Sequence, residues 1–444
     1  MSTVRDYVTL QRGITYKGNL VGNPGPALLG LGSIQPGGGF REGDFKTYGG
    51  ECLPQHMLFP GDMFASLKGA TKDGEMIGSV ARVPKSVPTG RLTQDTVGLK
   101  FFEKDPKIVS FLYWVLRTPQ YRAYCAGRAT GSAVVAMSRG DFLDFDIPER
   151  TAERACVVEL FDAIEEKIEL NRRRNRTLEA MARAIFQSWF VDFDPVKAKA
   201  AGRKPAGLSK EIAVLFPSSF VGSPLGEIPK GWQITTLTEQ ITVSKGLSYK
   251  GAHLCEPGEG IPLHNLNSVY EGGGYKNQGL KWYNGECQPR HLIKPGDVIV
   301  TNTEQGFDYL PIGYAAIVPE RFGDKGLFSH HIFKLAQKPD SYLPTWFTYL
   351  LLRTPVFHEL VAGHSNGTTV NMLPLDGLQK PRFVLPPEEL VERFGQLFLP
   401  AQKQLECSHD ENVTLAALRD SLLPKLISGE LRVPDAERIV GRAV

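Results

Sequence analysis

The sequence predicts an α+β chain with a pseudo-twofold internal repeat, in which two mixed α/β heads are separated by two long helices forming an antiparallel coiled coil. Three observations predict it. The chain matches itself, in order, along its whole length. Each copy opens with a region rich in Gly, Pro and aromatics, broken into short apolar runs that read as strands and turns. Each copy closes with a long segment whose apolar residues recur at alternating steps of four and three.

The self-match is dense. "YKG" occurs at Tyr16–Gly18 and at Tyr249–Gly251, and "LRTP" at Leu116–Pro119 and Leu352–Pro355. Gly37–Asp62 aligns with Gly272–Asp297 without a gap, and "AGRATGS" (Ala126–Ser132) answers "AGHSNGT" (Ala362–Thr368). The offset drifts only from 233 residues (Tyr16 to Tyr249) to 237 (Asn171 to Ser408). Chance matches do not keep order and spacing in this way.

The first head spans 1–148, with a helix expected around "SFLYWVLRTP". A central long helix follows over 149–192, with Thr151 as its N-cap and its end near Phe190. About 40 residues of helix measure about 60 Å. One apolar column is Val157, Ile164, Asn171, Leu178 and Ile185; the other is Phe161, Ile168, Asn175, Ala182 and Trp189. Residues 193–227, containing "DPVKAKAAGRKPAG", read as a linker by composition. The second head spans 228–386, with strands at "DVIVTN" and "PIGYAAIV" and a helix at "TWFTYLLLRTP". Residues 387–444 hold the second long helix and a tail. That helix is expected to start after Pro387, end near Leu423-Pro424 and kink at Pro400. Its columns are Phe394, Ala401, Ser408, Leu415 and Leu422, with Val391, Phe398, Leu405, Asn412 and Arg419.

The apolar seam breaks at the same place in both helices, at Asn171 and Asn175 in one and at Ser408 and Asn412 in the other. Antiparallel pairing sets these four residues side by side. A buried Asn costs stability but penalises any register that leaves its amide unpaired. The expectation is that these residues fix the axial register; the alternative is that the helix is exposed there. Arg172–Arg174 beside them reads as a solvated face.

Composition is that of an ordinary folded protein, 42% hydrophobic and 22% charged. The formal net charge is +3 and the pI about 8.4. This neither marks nor excludes a nucleic-acid binder, since basic groups can be gathered on one face. No apolar run reaches membrane-spanning length and no signal-peptide core opens the sequence, so no membrane and a cytoplasmic location are expected. The six scattered cysteines read as reduced thiols.

Chemistry-bearing motifs are missing. The sequence has no GxxxxGK[ST], no HExxH and no GxSxG, and "GLGSIQPGG" fails the dinucleotide pattern. Cys52 with His56, and Cys287 with His291, have ligand spacing, but each copy offers two ligands where a closed zinc site needs four. Pro-Gly-Asp opens an apolar run in both copies, and it reads as a tight turn into a strand. Neither a catalytic centre nor a metal is expected in this chain.

"AIFQSWFVDFDPVKAKAAGRKP" after the first helix, "IPKGW" (Ile228–Trp232) opening the second head and "LLPKLISGEL" (Leu422–Leu431) closing the chain carry a resemblance. With the alternation of two heads and two long helices, the chain is similar over essentially its whole length to the specificity subunits of Type I restriction–modification enzymes. The first copy departs from the pattern by lacking an "IPKGW" opening. The resemblance implies that each head is a target recognition domain reading one half of a split, asymmetric site on double-stranded DNA. It implies that the paired helices set the spacer and are gripped by two methyltransferase (modification) subunits. Two motor-nuclease (restriction) subunits complete the restricting enzyme. S-adenosylmethionine, ATP and Mg would belong to those partners, with no cofactor in this chain.

Base reading needs Arg, Lys, Asn, Gln, Ser or Thr at base edges, with further basic groups on phosphates. Polar and glycine-flanked loops supply the DNA-binding candidates: Lys17, Lys68, Lys72, Arg128, Ser132 and Arg139 in the first head, and Lys245, Lys250, Asn302, Gln305, His330, Asn366 and Thr368 in the second. The aligned loops "GRATGS" and "GHSNGT" stand out because they differ between copies. Phe186, Trp189, Phe190 and Phe193 either dock a methyltransferase subunit or pack onto the chain's own heads. The rival functions are a protein-binding coiled-coil scaffold without nucleic acid and a stand-alone DNA-modifying enzyme.

Overall fold

Short β-branched and aromatic runs between Gly and Pro turns become strands, and the self-match becomes a repeated topology. The computed structural model describes residues 2–41, 45–69, 76–131, 135–277, 279–304, 312–367 and 371–428. The chain divides into two compact units, Met1–Arg174 with Glu411–Val444, and Asn175–Asp410.

Unit one holds a four-stranded sheet in the order Val8–Arg12, Thr96–Phe101, Met63–Ser66, Val80–Arg82. A three-stranded sheet, Ala27–Leu29, Gly90–Leu92, Met57–Leu58, accompanies it. Unit two repeats the first sheet as Ile241–Lys245, Ile332–Gln337, Val298–Thr301, Ala315–Ile317. Its second sheet contains Ile261–His264, Gly326–Phe328 and Leu292–Ile293, extended by Lys281–Tyr283 and Leu254–Cys255. Register repeats as well. Val8 pairs with Phe101 and Ser66 with Thr96 in unit one, as Ile241 pairs with Gln337 and Thr301 with Ile332 in unit two.

Close backbone approach explains two recurring glycines. A Cβ on Gly13 would lie 2.0 Å from the Thr93 carbonyl oxygen, and one on Gly246 would lie 2.3 Å from that of Ser329. Each therefore lets the first strand press against the loop that enters the central strand.

The apolar helices Pro106–Val115 and Thr345–Leu352 are buried along most of their length and fill the core of their own unit. Each is followed by an arginine from the repeated "LRTP". Arg117 donates to the Tyr113 hydroxyl (2.9 Å) and reaches Glu165 of the first long helix (3.2 Å). Arg353 likewise donates to Tyr349 and reaches Glu179 of that helix (2.5 Å).

The first long helix runs Ala152–Phe186 and passes into a wider turn of π type at Gln187–Val191. The Thr151 hydroxyl accepts from the Arg154 N–H (3.3 Å) at its start. The second runs Glu388–Ser428. It continues through Pro424, past the expected stop, because Leu422 and Leu423 are buried in the unit-one core and tertiary packing outweighs one missing N–H. Within unit one, Val157, Phe161, Ile164 and Ile168 share a core with Leu415 and Leu422. Within unit two, Leu178 and Ala182 line one small cavity with Phe398, Ala401 and Leu405. The two helices are antiparallel. Asn171 bonds to Asn412 while Glu165 approaches Arg419, and Asn175 bonds to the Leu405 carbonyl while the Phe186 ring meets Phe394.

The segment read as a linker is folded. It carries helices Asp194–Ala200 and Lys210–Leu215, the second capped by Ser209, and it buries Val196 and Phe216 in the unit-two core. Its Lys, Ala and Gly content masks those two apolar anchors.

Candidate nucleic-acid interface

In unit one, three loops meet at one end of the four-stranded sheet. Ser66 and Thr96 are register partners, so Lys68, two residues past one, and Asp95, one residue before the other, emerge together. Their side chains form an ion pair of 3.1 Å while remaining 44% and 33% exposed. The third loop is fastened alongside. Ala136 bridges both Lys68 and Thr130, the Gly69 N–H donates to the Val135 carbonyl (2.7 Å), and the Met137 N–H donates to that of Leu67 (2.9 Å).

Unit two builds the same edge. Thr301 and Ile332 are register partners, and Thr303 and His331 occupy the places of Lys68 and Asp95. Thr303 Oγ1 lies 3.2 Å from His331 Nδ1. Met372 bridges Thr303 and Asn366, and the Leu373 N–H donates to the Asn302 carbonyl (2.7 Å). Asn371 is clamped by both carboxylate oxygens of Glu304 at 2.8 and 2.9 Å. One backbone frame thus carries two different polar pairs.

Aromatic and basic groups flank each edge. In unit one, exposed Tyr16 packs edge-on to Tyr48 (6.2 Å), beside a concave space of about 420 Å³ that Arg41, Lys46, Thr93 and Asp95 also line. In unit two, Tyr249 packs edge-on to Tyr283 (6.3 Å), and Lys281 Nζ donates to the Tyr249 hydroxyl (2.7 Å). The His330 ring lies 3.8 Å from that of His331. Burial lowers the His331 pKa, and the charges of His330 and Lys281 lower it further, which favours the neutral ring.

No family model matches the chain. It is 24% identical over 349 residues to the Type I restriction enzyme MjaIX specificity subunit of Methanocaldococcus jannaschii, covering 75% of this chain and 71% of that one. It is 24% identical over 426 residues to the Type I restriction enzyme HindI specificity subunit of Haemophilus influenzae, covering 83% and 89%. The crystal structure of the Type I restriction–modification S subunit from M. genitalium shares its fold, with a TM-score of 0.52 at 15% identity over 96% of this chain and 94% of that one. The chain is a relative of the Type I specificity subunits.

Among the residues that sequence singles out, Lys17, Arg139, Lys245, Lys250 and Asn366 are exposed. Lys68 belongs to the edge pair. Arg128 is engaged, 3.8 Å over the Tyr124 ring and 3.7 Å from Asp141. Asn302 is only 2% exposed and uses both ends of its amide inside the fold, so it fastens the edge instead of offering a free amide. Lys72, Ser132, Gln305 and Thr368 lie outside the described residues. Motif reading does not mark Asp95, Thr303 or His331. The signal for them is the repeat offset itself, which sets 68 against 303 and 95 against 331.

The aromatic run does not form a free docking surface. Phe186, Trp189 and Phe190 are buried among Phe216, Trp232, Phe347 and Phe394, and Phe193 packs on Trp232 and Phe220. A segment this apolar, next to a head with matching rings, is covered by that head. At the seam, Asn171 is 4% exposed and its Nδ2 donates to Asn412 Oδ1 (3.0 Å) and Glu411 Oε2 (2.6 Å). Ser408, also buried, accepts from Gln404 Nε2 (3.2 Å).

Proposed function

We propose that this chain is the non-catalytic DNA-reading subunit of a Type I restriction–modification enzyme, each unit reading one half of a bipartite, asymmetric duplex target. One observation carries the reading: the same three-loop edge occurs in both units with different polar side chains on it. A repeated catalytic centre would keep its reacting groups, whereas a repeated reader must vary them. The kinship with specificity subunits supports the same reading. The paired long helices then act as the spacer and as the platform for two methyltransferase subunits, with motor-nuclease subunits joining to restrict. S-adenosylmethionine, ATP and Mg belong to those partners, and the assembly works in the cytoplasm on double-stranded DNA. No helix among the described residues is long and apolar enough to cross a membrane.

The test is a mobility-shift titration of the full chain, together with its methyltransferase partner, on a duplex pool carried through several rounds of selection. The expected result is enrichment of a split sequence, with an affinity that falls steeply as salt rises through counterion release. Absence of salt-sensitive duplex binding leaves a protein-only scaffold as the answer.

A further inference from the structure

The strand-end pair differs between units on an otherwise shared frame, and its hydrogen-bonding capacity can be worked out atom by atom. In unit one, Lys68 offers only donors and Asp95 only acceptors. Their ion pair is solvent-exposed, and such pairs contribute little to stability. The backbone at Lys68 is nonetheless held on both sides, by the ladder to Thr96 and by the bonds to Val135 and Met137.

In unit two, the carbonyl of His330 must face a donor, so Asn302 turns its Nδ2 toward it (3.0 Å). Asn302 Oδ1 then faces Thr303 Oγ1 at 2.7 Å, and the hydroxyl proton must go there. Thr303 Oγ1 can therefore only accept from His331, which places the ring proton on Nδ1 (3.2 Å). The neutral ring is left with a lone pair on Nε2, which has no hydrogen-bond partner among the described residues. Buried Asn302 and Thr303 thus fix the tautomer of a partly exposed ring at the edge.

We infer that the residues at this repeated position are specificity determinants, Lys68 with Asp95 in unit one and His331, positioned by Thr303 and Asn302, in unit two. The inference rests on the DNA-reading function proposed above. The donor–acceptor pair of unit one fits a G·C base pair, with Lys68 on the guanine O6 and N7 and Asp95 on the cytosine amino group. The single acceptor of unit two fits an exocyclic amino group, on adenine N6 or cytosine N4. The two edges then read by different means, a donor–acceptor pair across one base pair in unit one and a single acceptor on one amino group in unit two.

The experiment uses the full chain with its methyltransferase partner and a duplex library randomised across both half-sites. Lys68→Thr with Asp95→His installs the unit-two pair in unit one and should change base preference at one position, or two adjacent positions, of one half-site only. His331→Ala should relax one position in the other half-site, with discrimination there falling at least tenfold. Asp95→Asn, isosteric with the native residue, should alone shift the preference at its position and guards against a poorly folded double variant. Variants that select the native sequence with native discrimination overturn the inference. So does a loss of affinity that is equal on all duplexes, which marks contacts to phosphate alone. A native complex that selects no sequence fails differently, because it removes the DNA-reading function itself.

Discussion

Glu165 is where the first long helix is tied to the core of unit one, and its neighbours are almost all cationic. It lies 3.2 Å from Arg82 Nη2 and from Arg117 Nη1, 3.9 Å from Arg419, and accepts from the Tyr113 hydroxyl (2.9 Å). Burial pushes its carboxyl up, but Arg117, Arg82 and Arg419 together with the Tyr113 hydrogen bond outweigh that and hold it below the usual carboxylate range. Glu165→Ala strands the buried Arg117 guanidinium and should cost about 3 kcal/mol, seen as a lower midpoint in denaturant unfolding. Lys85 with Glu166, an exposed pair one residue along, serves as the control; Glu166→Ala should leave the midpoint almost unmoved. A second residue sets an acid limit. His264 is buried against the Tyr275 hydroxyl (2.7 Å), and burial lowers its pKa to about 4. The unfolded chain takes up that proton first, so stability is full above about pH 6.5 and is lost as pH falls toward about 4, by roughly 3 kcal/mol. His264→Gln should flatten that part of the unfolding midpoint against pH; an unchanged slope would assign it to other histidines. Sequence shows half of the Arg–Glu ties. "LRTP" exposes Arg117 and Arg353 as a matched pair, but Glu165 aligns with Gln402 and Glu179 with Ala416. In unit two the acid again comes from the first long helix, at Glu179, and not from the repeat-equivalent second helix, which only the fold reveals.

The long helices are the most legible elements, because a period near 3.5 that persists along two separate segments belongs to paired helices and to little else. Their ends are less so. Pro424 reads as a stop, but the two leucines before it are needed by a core far away in sequence. The segment around Val196 and Phe216 escapes for the opposite reason, with two anchors diluted by helix-neutral and flexible residues. Asn171 and Asn412 form the polar break of the seam within unit one, and a buried amide that bonds Asn412 and Glu411 in one register disfavours slippage. Asn171→Leu leaves Asn412 Oδ1 and Glu411 Oε2 without that donor and should lower the unfolding free energy by about 1–3 kcal/mol. Adding Asn412→Leu removes the orphan and should restore or raise stability. If the pair sets register, the double variant should also tolerate target spacers that the native complex rejects. A stable double variant with unchanged spacer choice would leave the asparagines no role in register.

At the scale of the molecule, the repeat is plain from sequence, and with it the expectation of one head written twice. The candidate edge is legible in part: Thr130 of "GRATGS" and Asn366 of "GHSNGT" are joined to it through Ala136 and Met372, but Asp95 and His331 come from loops that sequence similarity does not mark. Asp95 lies in "TQDT" and His331 in "SHHI", which share no residue type at aligned positions. Divergence hides them, as it would hide the contact residues of the reader proposed above. The same logic bears on the helices. Each is continuous through the point where the chain divides into units, at Arg174 in one and Asp410 in the other. If they are the spacer, their length is encoded in the target. One heptad inserted into each helix at that point keeps the seam in phase and adds about 10 Å, at about 1.5 Å per residue. Duplex DNA rises about 3.4 Å per base pair, so the preferred spacer should lengthen by about three base pairs while both half-sites stay the same. Selection from a library that varies spacer length measures this directly. A heptad inserted into only one helix throws the seams out of match and should abolish selection. An unchanged spacer after the paired insertion would mean that something other than the helices measures the distance.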